Sequence, residues 1–116
     1  MSIQIRKAKI FDARTITDLS ASILPISYSL FEIIAFITLG YNILVSTVND
    51  DIVGYIIADY KPHIMSFGVN PQYRRKGLGS ALIKGLFKCN DGKDITLYVH
   101  ADNTAAIIFY KKMKWN

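Results

Sequence analysis

Cysteine and histidine are nearly missing from this chain of 116 residues: Cys89 is the one thiol, and His63 and His100 are the two imidazoles. An internal disulfide is excluded, and no zinc site can be assembled from sulfur and nitrogen donors alone. The expectation is a protein of a reducing compartment, the cytoplasm, with no metal centre. Acid is scarce as well. Glu32 is the only glutamate, so chemistry that needs a pair of glutamates is out. Nine Asp+Glu against fourteen Lys+Arg leave a net charge of +5, which favours an anionic partner without saying whether that is nucleic acid, phospholipid or a phosphorylated cofactor. Linkers, internal repeats and low-complexity tracts are missing too.

What is present is apolar. Hydrophobic residues make up 51% of the chain, enough for one core, so a single domain over residues 1–116 is expected. Met1-Ser-Ile-Gln-Ile-Arg-Lys7 has no apolar run of the kind a secretory signal carries. Ile23 to Leu44 is the one stretch with the length of a membrane span, and its only charge is Glu32. Pro25 near its start and Gly40-Tyr41-Asn42 inside it read as breaks, which divide it into two elements and argue against a span.

Ile3 and Ile5 alternate with polar neighbours in a first strand over about residues 2–8. Asp12 is placed to cap a helix carrying Ile16, Leu19 and Ile23, and a second helix, apolar nearly all round, is expected from about Ser27 to Leu39 with Gly40 as its left-handed stop. Residues 42–48 and 52–60 read as a hairpin across Asn49-Asp50-Asp51. A further strand spans 63–69, and the loop from Pro71 opens a helix to about Cys89 that Asn90-Asp91-Gly92 closes. A strand over 94–100 and a last helix from about Thr104 complete the order. The fold class is α+β, layered, with a central mixed and mostly antiparallel sheet flanked by helices.

Arg74-Arg75-Lys76-Gly77-Leu78-Gly79-Ser80 falls between a strand and a helix. Unsatisfied helix N–H groups attract anions there, the glycines permit close approach, and the cations add charge, so a pyrophosphate fits. A basic loop with glycines for a tight turn reads from the same residues. It is neither a P-loop nor a dinucleotide fingerprint, since the required Gly-Lys-Ser/Thr ending and third glycine are missing.

The run Gln72 to Leu82, preceded by Ile64-Met-Ser-Phe-Gly-Val69, resembles the acetyl-CoA-binding signature of the GNAT superfamily of N-acetyltransferases. Leu97-Tyr-Val-His-Ala-Asp-Asn103 through Tyr110 to Trp115 is similar to that family's second motif, in the right order and spacing. The resemblance implies an acetyl-CoA-dependent N-acetyltransferase. It assigns the backbone of Phe67, Gly68 and Val69 to the pantetheine arm at a strand bulge, and Arg74, Arg75, Lys76, Gly77, Leu78, Gly79 and Ser80 to the pyrophosphate. Asn103 becomes a partner of the pantetheine or acetyl region, and Tyr110 a cofactor contact and the acid for the leaving thiolate. From the residues alone, Asn103 reads equally as a helix cap and Tyr110 as a core aromatic.

The resemblance implies an amine acceptor. An α-amine with pKa near 8 is partly neutral at physiological pH, whereas deprotonating a lysine near 10.4 costs about 3 kcal/mol more. Ile64 to Val69 carries no carboxylate, and lysine acetyltransferases of this fold often place a glutamate base there. Ile23-Leu24-Pro25-Ile26-Ser27-Tyr28 resembles the substrate loop of N-alpha-acetyltransferases acting on Met-initiated N-termini followed by an apolar residue. On that likeness Leu24, Pro25 and Ile26 line the first-residue pocket and Tyr28 bonds the peptide backbone; a packed helix–helix connection is the plainer reading. The subfamily's proton-handling Tyr and His correspond here to His63 and Tyr98, the pair exchanged, so both are candidate catalytic residues. A strand-entry residue and a pocket wall are the alternatives for them.

Where family members continue into a closing pair of strands, this sequence reads Met113-Lys-Trp-Asn116, a C-terminally shortened form. The expectation is then an exposed edge on the strand over 94–100 and an uncovered helix over 27–39, answered by a homodimer or a partner chain. Two other functions stay open: a catalytically silent acetyl-CoA-binding or interaction module, and a GNAT acting on a small amine or lysine. Nucleic acid is not an expected partner, because no aromatic stacking platform accompanies the basic residues.

Overall fold

Asn49 and Asp50 have φ of +51° and +71°, the double left-handed geometry of a two-residue hairpin whose twist matches its strands. In the computed structural model, which describes residues 2–24, 27–60, 62–74, 76–89 and 96–97, this turn joins β2 (Asn42–Val48) to β3 (Asp51–Ala58). The turn is one residue shorter than expected, because Asp51 pairs with Val48 at the start of β3. β1 (Ile3–Lys7) pairs antiparallel with β2, and β4 (His63–Val69) pairs antiparallel with β3. β5, described over Thr96–Leu97, runs parallel to β4. The sheet order β1-β2-β3-β4-β5 is mixed and mostly antiparallel, as the sequence predicts.

Helices cover both faces. α1 (Ala13–Ile23) and α2 (Leu30–Thr38) bury Ile16 and Ile33 against Ile43, Val45, Tyr55 and Ile57. On the opposite face α3 (Leu78–Cys89) sets Leu82, Ile83 and Leu86 on Leu44, Ile56, Ala58 and Ile64. With helices on each side, β2 and β3 are buried on both faces, and their apolar runs are nearly continuous for that reason. Each fully buried Ile or Leu contributes about 1.5–3 kcal/mol.

Two helix starts differ from expectation. α2 begins at Leu30 rather than near Ser27, because Ser29 and Glu32 form a reciprocal capping box: Glu32 N–H donates to Ser29 Oγ at 3.2 Å and Ser29 N–H to the Glu32 carboxylate at 3.0 Å. Asp12 precedes α1 but its side chain does not cap it. It accepts from Lys9 N–H at 2.8 Å and from both Arg6 guanidinium nitrogens at 2.8 and 3.1 Å, tying β1 to the start of α1. This pairing holds the Asp12 carboxyl below the usual range.

α2 stops at Gly40, with φ +81°, as expected. It is not buried all round: Ile33 is enclosed, while Phe31 is 82% and Leu39 59% exposed. The apolar run from Ile23 to Leu44 is thus divided among the end of α1, α2 and the start of β2, and no described helix is long and apolar enough to cross a membrane. The expected helix stop at 90–92, most of the strand over 94–100 and the last helix lie outside the described residues.

Candidate active site

The anion loop is built by the way β4 leaves the sheet. Asn70 accepts from Gln72 N–H at 3.0 Å, and Pro71–Tyr73 form a single 3₁₀ turn. Arg74 Nε donates to Val69 O at 3.3 Å, and the Lys76 ammonium lies 5.6 Å from the Tyr73 ring centroid. Gly77 then takes φ +78°, a conformation that suits glycine, and the place where a Cβ would stand is open to 4 Å. Its carbonyl accepts from Ala81 N–H at 3.0 Å. The first turn of α3 begins at Leu78, and its leading amides point out of the helix end.

Leu78 anchors that helix end by burial against Val48 and Val53, and the first turn holds no acid. Arg74, Lys76 and Gly77 are exposed. Helix amides, two cations and a glycine gap supply donors and positive charge, and the helix's first turn adds no acid. This donor set fits the pyrophosphate of a coenzyme A.

β4 carries an irregularity, although not over Phe67–Val69 as expected. The register with β3 shifts between the pairs Ile64–Ala58 and Ser66–Ile57, so Met65 is the extra residue. An extra residue reverses the alternation of side chains. Accordingly Ile64, Phe67 and Val69 all pack toward α3, while Met65 packs with the α1–α2 cluster and Gly68 lies against Ile23 of α1. His63 starts the strand, half-buried, with its N–H donating to the Asp59 carboxylate at 2.7 Å. It lies two positions before Met65 and shares its face.

Behind β4 is a group of hydroxyls that no sequence pattern singles out. Tyr55 is fully buried, its phenol oxygen 2.7 Å from Ser66 Oγ. Ser20 Oγ donates to Thr17 O at 3.0 Å. Burial pushes the Tyr55 phenol up, and the two serine hydroxyls offset part of that.

The acceptor side comes from α1 and the segment leaving it. Leu24 ends α1, half-buried, with its N–H on Ser20 O at 2.8 Å. Beside it Ile23 reaches β4, its Cδ1 3.2 Å from where a Gly68 Cβ would be. Tyr28 is half-buried and meets Phe36 edge-on at 5.1 Å, and its phenol is raised by burial and by Glu32. The aromatic contacts continue from Phe36 to Tyr41 and on to Tyr60. Ile23, the residue before Leu24, thus meets the strand carrying His63, Phe67, Gly68 and Val69. Pro25, Ile26, Arg75, Tyr98, Asn103 and Tyr110 lie outside the described residues, as do any contacts between them and His63.

The sequence profile of the Acetyltransferase (GNAT) family matches residues 17–115. The chain belongs to the GNAT acetyltransferase family. Acetyl-CoA is the acetyl donor of these enzymes, and the donor set around Gly77 suits it.

Among GNAT relatives, an N-alpha-acetyltransferase of Sulfurisphaera tokodaii is 28% identical over 131 residues, covering 95% of this chain and 78% of that protein. The structure of Ard1 from Thermoplasma volcanium superposes with a TM-score of 0.87 at 27% identity, covering 97% of this chain and 82% of that one. Arabidopsis thaliana Naa50, in complex with the bisubstrate analogue CoA-Ac-MVNAL, does so with a TM-score of 0.81 at 26% identity and the same coverage.

Proposed function

We propose that this GNAT domain acetylates the α-amino group of protein N-termini, with Met followed by an apolar residue as the preferred start. The observation that carries this is the meeting of Ile23 with Gly68: the segment leaving α1 abuts the strand that leads into the anion loop. A peptide end held along Leu24 and Tyr28 would therefore lie beside the donor strand. Likeness to two N-alpha-acetyltransferases and to Naa50, whose analogue carries the sequence MVNAL, supports the α-amine and the Met start.

The β4 sequence His63-Ile-Met-Ser-Phe-Gly-Val69 holds no carboxylate. That favours an amine that needs little help to lose its proton, and an α-amine is easier to deprotonate than a lysine by about 3 kcal/mol. Bound acetyl-CoA supplies a thioester carbonyl as the electrophile. The chain's own groups do the rest. Phe67, Gly68 and Val69 hold the donor through their backbone, and Arg74 to Ser80 hold its phosphates. Leu24, Pro25, Ile26 and Tyr28 hold the peptide end, and Asn103 helps to orient the acyl arm.

A nitrogen–carbon bond forms as the carbon–sulfur bond breaks. The amine proton passes to His63, with Tyr98 as its partner, and Tyr110 protonates the departing sulfur. A neutral imidazole is a competent base for this task.

Thiol release with acetyl-CoA and a panel of acceptors tests the reading: peptides beginning Met-Leu and Ser-Glu, and a free polyamine. The Met-Leu peptide should turn over fastest, and His63→Ala should lower kcat about 10²-fold or more and flatten the acid limb of its pH profile. Donor binding with no turnover on any acceptor would favour a silent binding module. The same reading gives the exposed Phe31 of α2 and Leu39 just after it to a second copy or another chain, which light scattering at high concentration would remove by finding only monomer.

A further inference from the structure

A bulge does not by itself define where it sits, because strand pairing can be recovered one residue to either side, and a slip of one residue turns every side chain to the opposite face. In β4 the extra residue is Met65, immediately before Ser66 and the Phe67–Val69 segment. The Tyr55 hydroxyl and Ser66 Oγ lie 2.7 Å apart, and either can be the donor. This bond joins β3 to β4.

The Tyr55 ring also fills the space beside Gly68: a Cβ there would stand 3.1 Å from Tyr55 Cε1. One side chain therefore grips β4 at two points, by hydrogen bond at Ser66 and by packing at Gly68. Sliding the bulge by one residue toward Phe67 would take Ser66 out of its pairing with Ile57 and away from Tyr55, leaving a buried phenol without that bond.

We propose that Tyr55 is a positioning residue whose hydroxyl, bonded to Ser66 one residue past the bulge, pins the register of β4 and so directs the Phe67–Val69 backbone toward the acyl donor. The proposal rests on the reading that this backbone holds the donor.

Tyr55→Phe keeps the ring and removes the bond. Backbone amide hydrogen exchange over residues 63–69 in the free protein and calorimetric binding of coenzyme A are the two readouts. Tyr55→Phe and Ser66→Ala should each speed exchange at Met65 to Gly68 and weaken coenzyme A about five- to tenfold. Their combination should be no worse than either alone, and Ser66→Thr, which keeps a hydroxyl, should stay near the parent. Thr38→Ala, which removes an exposed hydroxyl at the end of α2, should leave both readouts unchanged.

Parental exchange and affinity in Tyr55→Phe would overturn the proposal, as would fully additive effects of the two variants. If Tyr55→Phe does not fold, Ser66→Ala with its threonine counterpart decides in the same way. Failure of the parent protein to bind coenzyme A would overturn the donor reading instead, and the exchange data would still decide whether Tyr55 pins the strand.

Discussion

Ile23 at the end of α1 and Gly68 in β4 are in van der Waals register: a Cβ added to Gly68 would stand 3.2 Å from Ile23 Cδ1 and 3.1 Å from the Tyr55 ring. The absent side chain is what lets the end of α1 approach β4. Gly68→Ala forces one of these neighbours aside, an overpacking that costs about 1–3 kcal/mol. The expected result is a melting temperature lower by about 4–12 °C and a kcat/KM on a Met-Leu peptide lower by about tenfold or more. Steady-state kinetics beside a thermal melt checks it.

Gly77 poses the opposite case, since nothing lies within 4 Å of its missing Cβ and only its φ of +78° resists a side chain. Gly77→Ala should cost about 1 kcal/mol through backbone strain. Relaxing that strain would turn the first amides of α3, so coenzyme A affinity should fall by more than the loss of stability alone implies. Calorimetry at two salt concentrations separates the parts: the contribution of Arg74 and Lys76 is screened by salt, that of the backbone amides much less.

Asp12 gives a pH signature to the fold. Its carboxyl is held low chiefly by the Arg6 hydrogen bonds, with Lys9 N–H adding to the effect against the opposing cost of burial. A carboxyl whose pKa is lower folded than unfolded stabilises the fold above its unfolded value, near about 4, and that contribution is lost as pH falls through the folded value. Asp12→Ala should therefore lose about 1–3 kcal/mol at neutral pH. The gap between parent and variant should shrink below about pH 4. Urea melts across pH 3–7 read it directly, and a gap that does not narrow in acid would contradict the pairing.

The parts of the molecule legible in the sequence are those governed by neighbours along the chain. Asn49-Asp50 declares a tight turn because few residues accept two positive φ angles in a row. Gly77 declares a tight loop between strand and helix, and it takes φ +78° there. The late start of α2 is equally local: Ser29-Leu-Phe-Glu32 is a capping-box pattern, and its weight places the boundary correctly.

What could not be read depends on partners distant in sequence. Tyr55 looks like any strand aromatic until Ser66 and Ser20 are folded onto it. Asp12 has the composition of a helix cap, and only the proximity of β1 gives it to Arg6 instead. Met65 as the bulged residue is invisible to periodicity, since Ile64, Phe67 and Val69 share a face only after the extra residue is counted.

The central claim is that the acetyl group goes to an α-amine. A peptide beginning Met-Leu and carrying one internal lysine, incubated with the protein and acetyl-CoA and then sequenced by fragmentation mass spectrometry, tests it most directly. The account predicts the acetyl group on the N-terminal nitrogen and none on the lysine; acetyl on the lysine side chain, with the N-terminus left free, would contradict it.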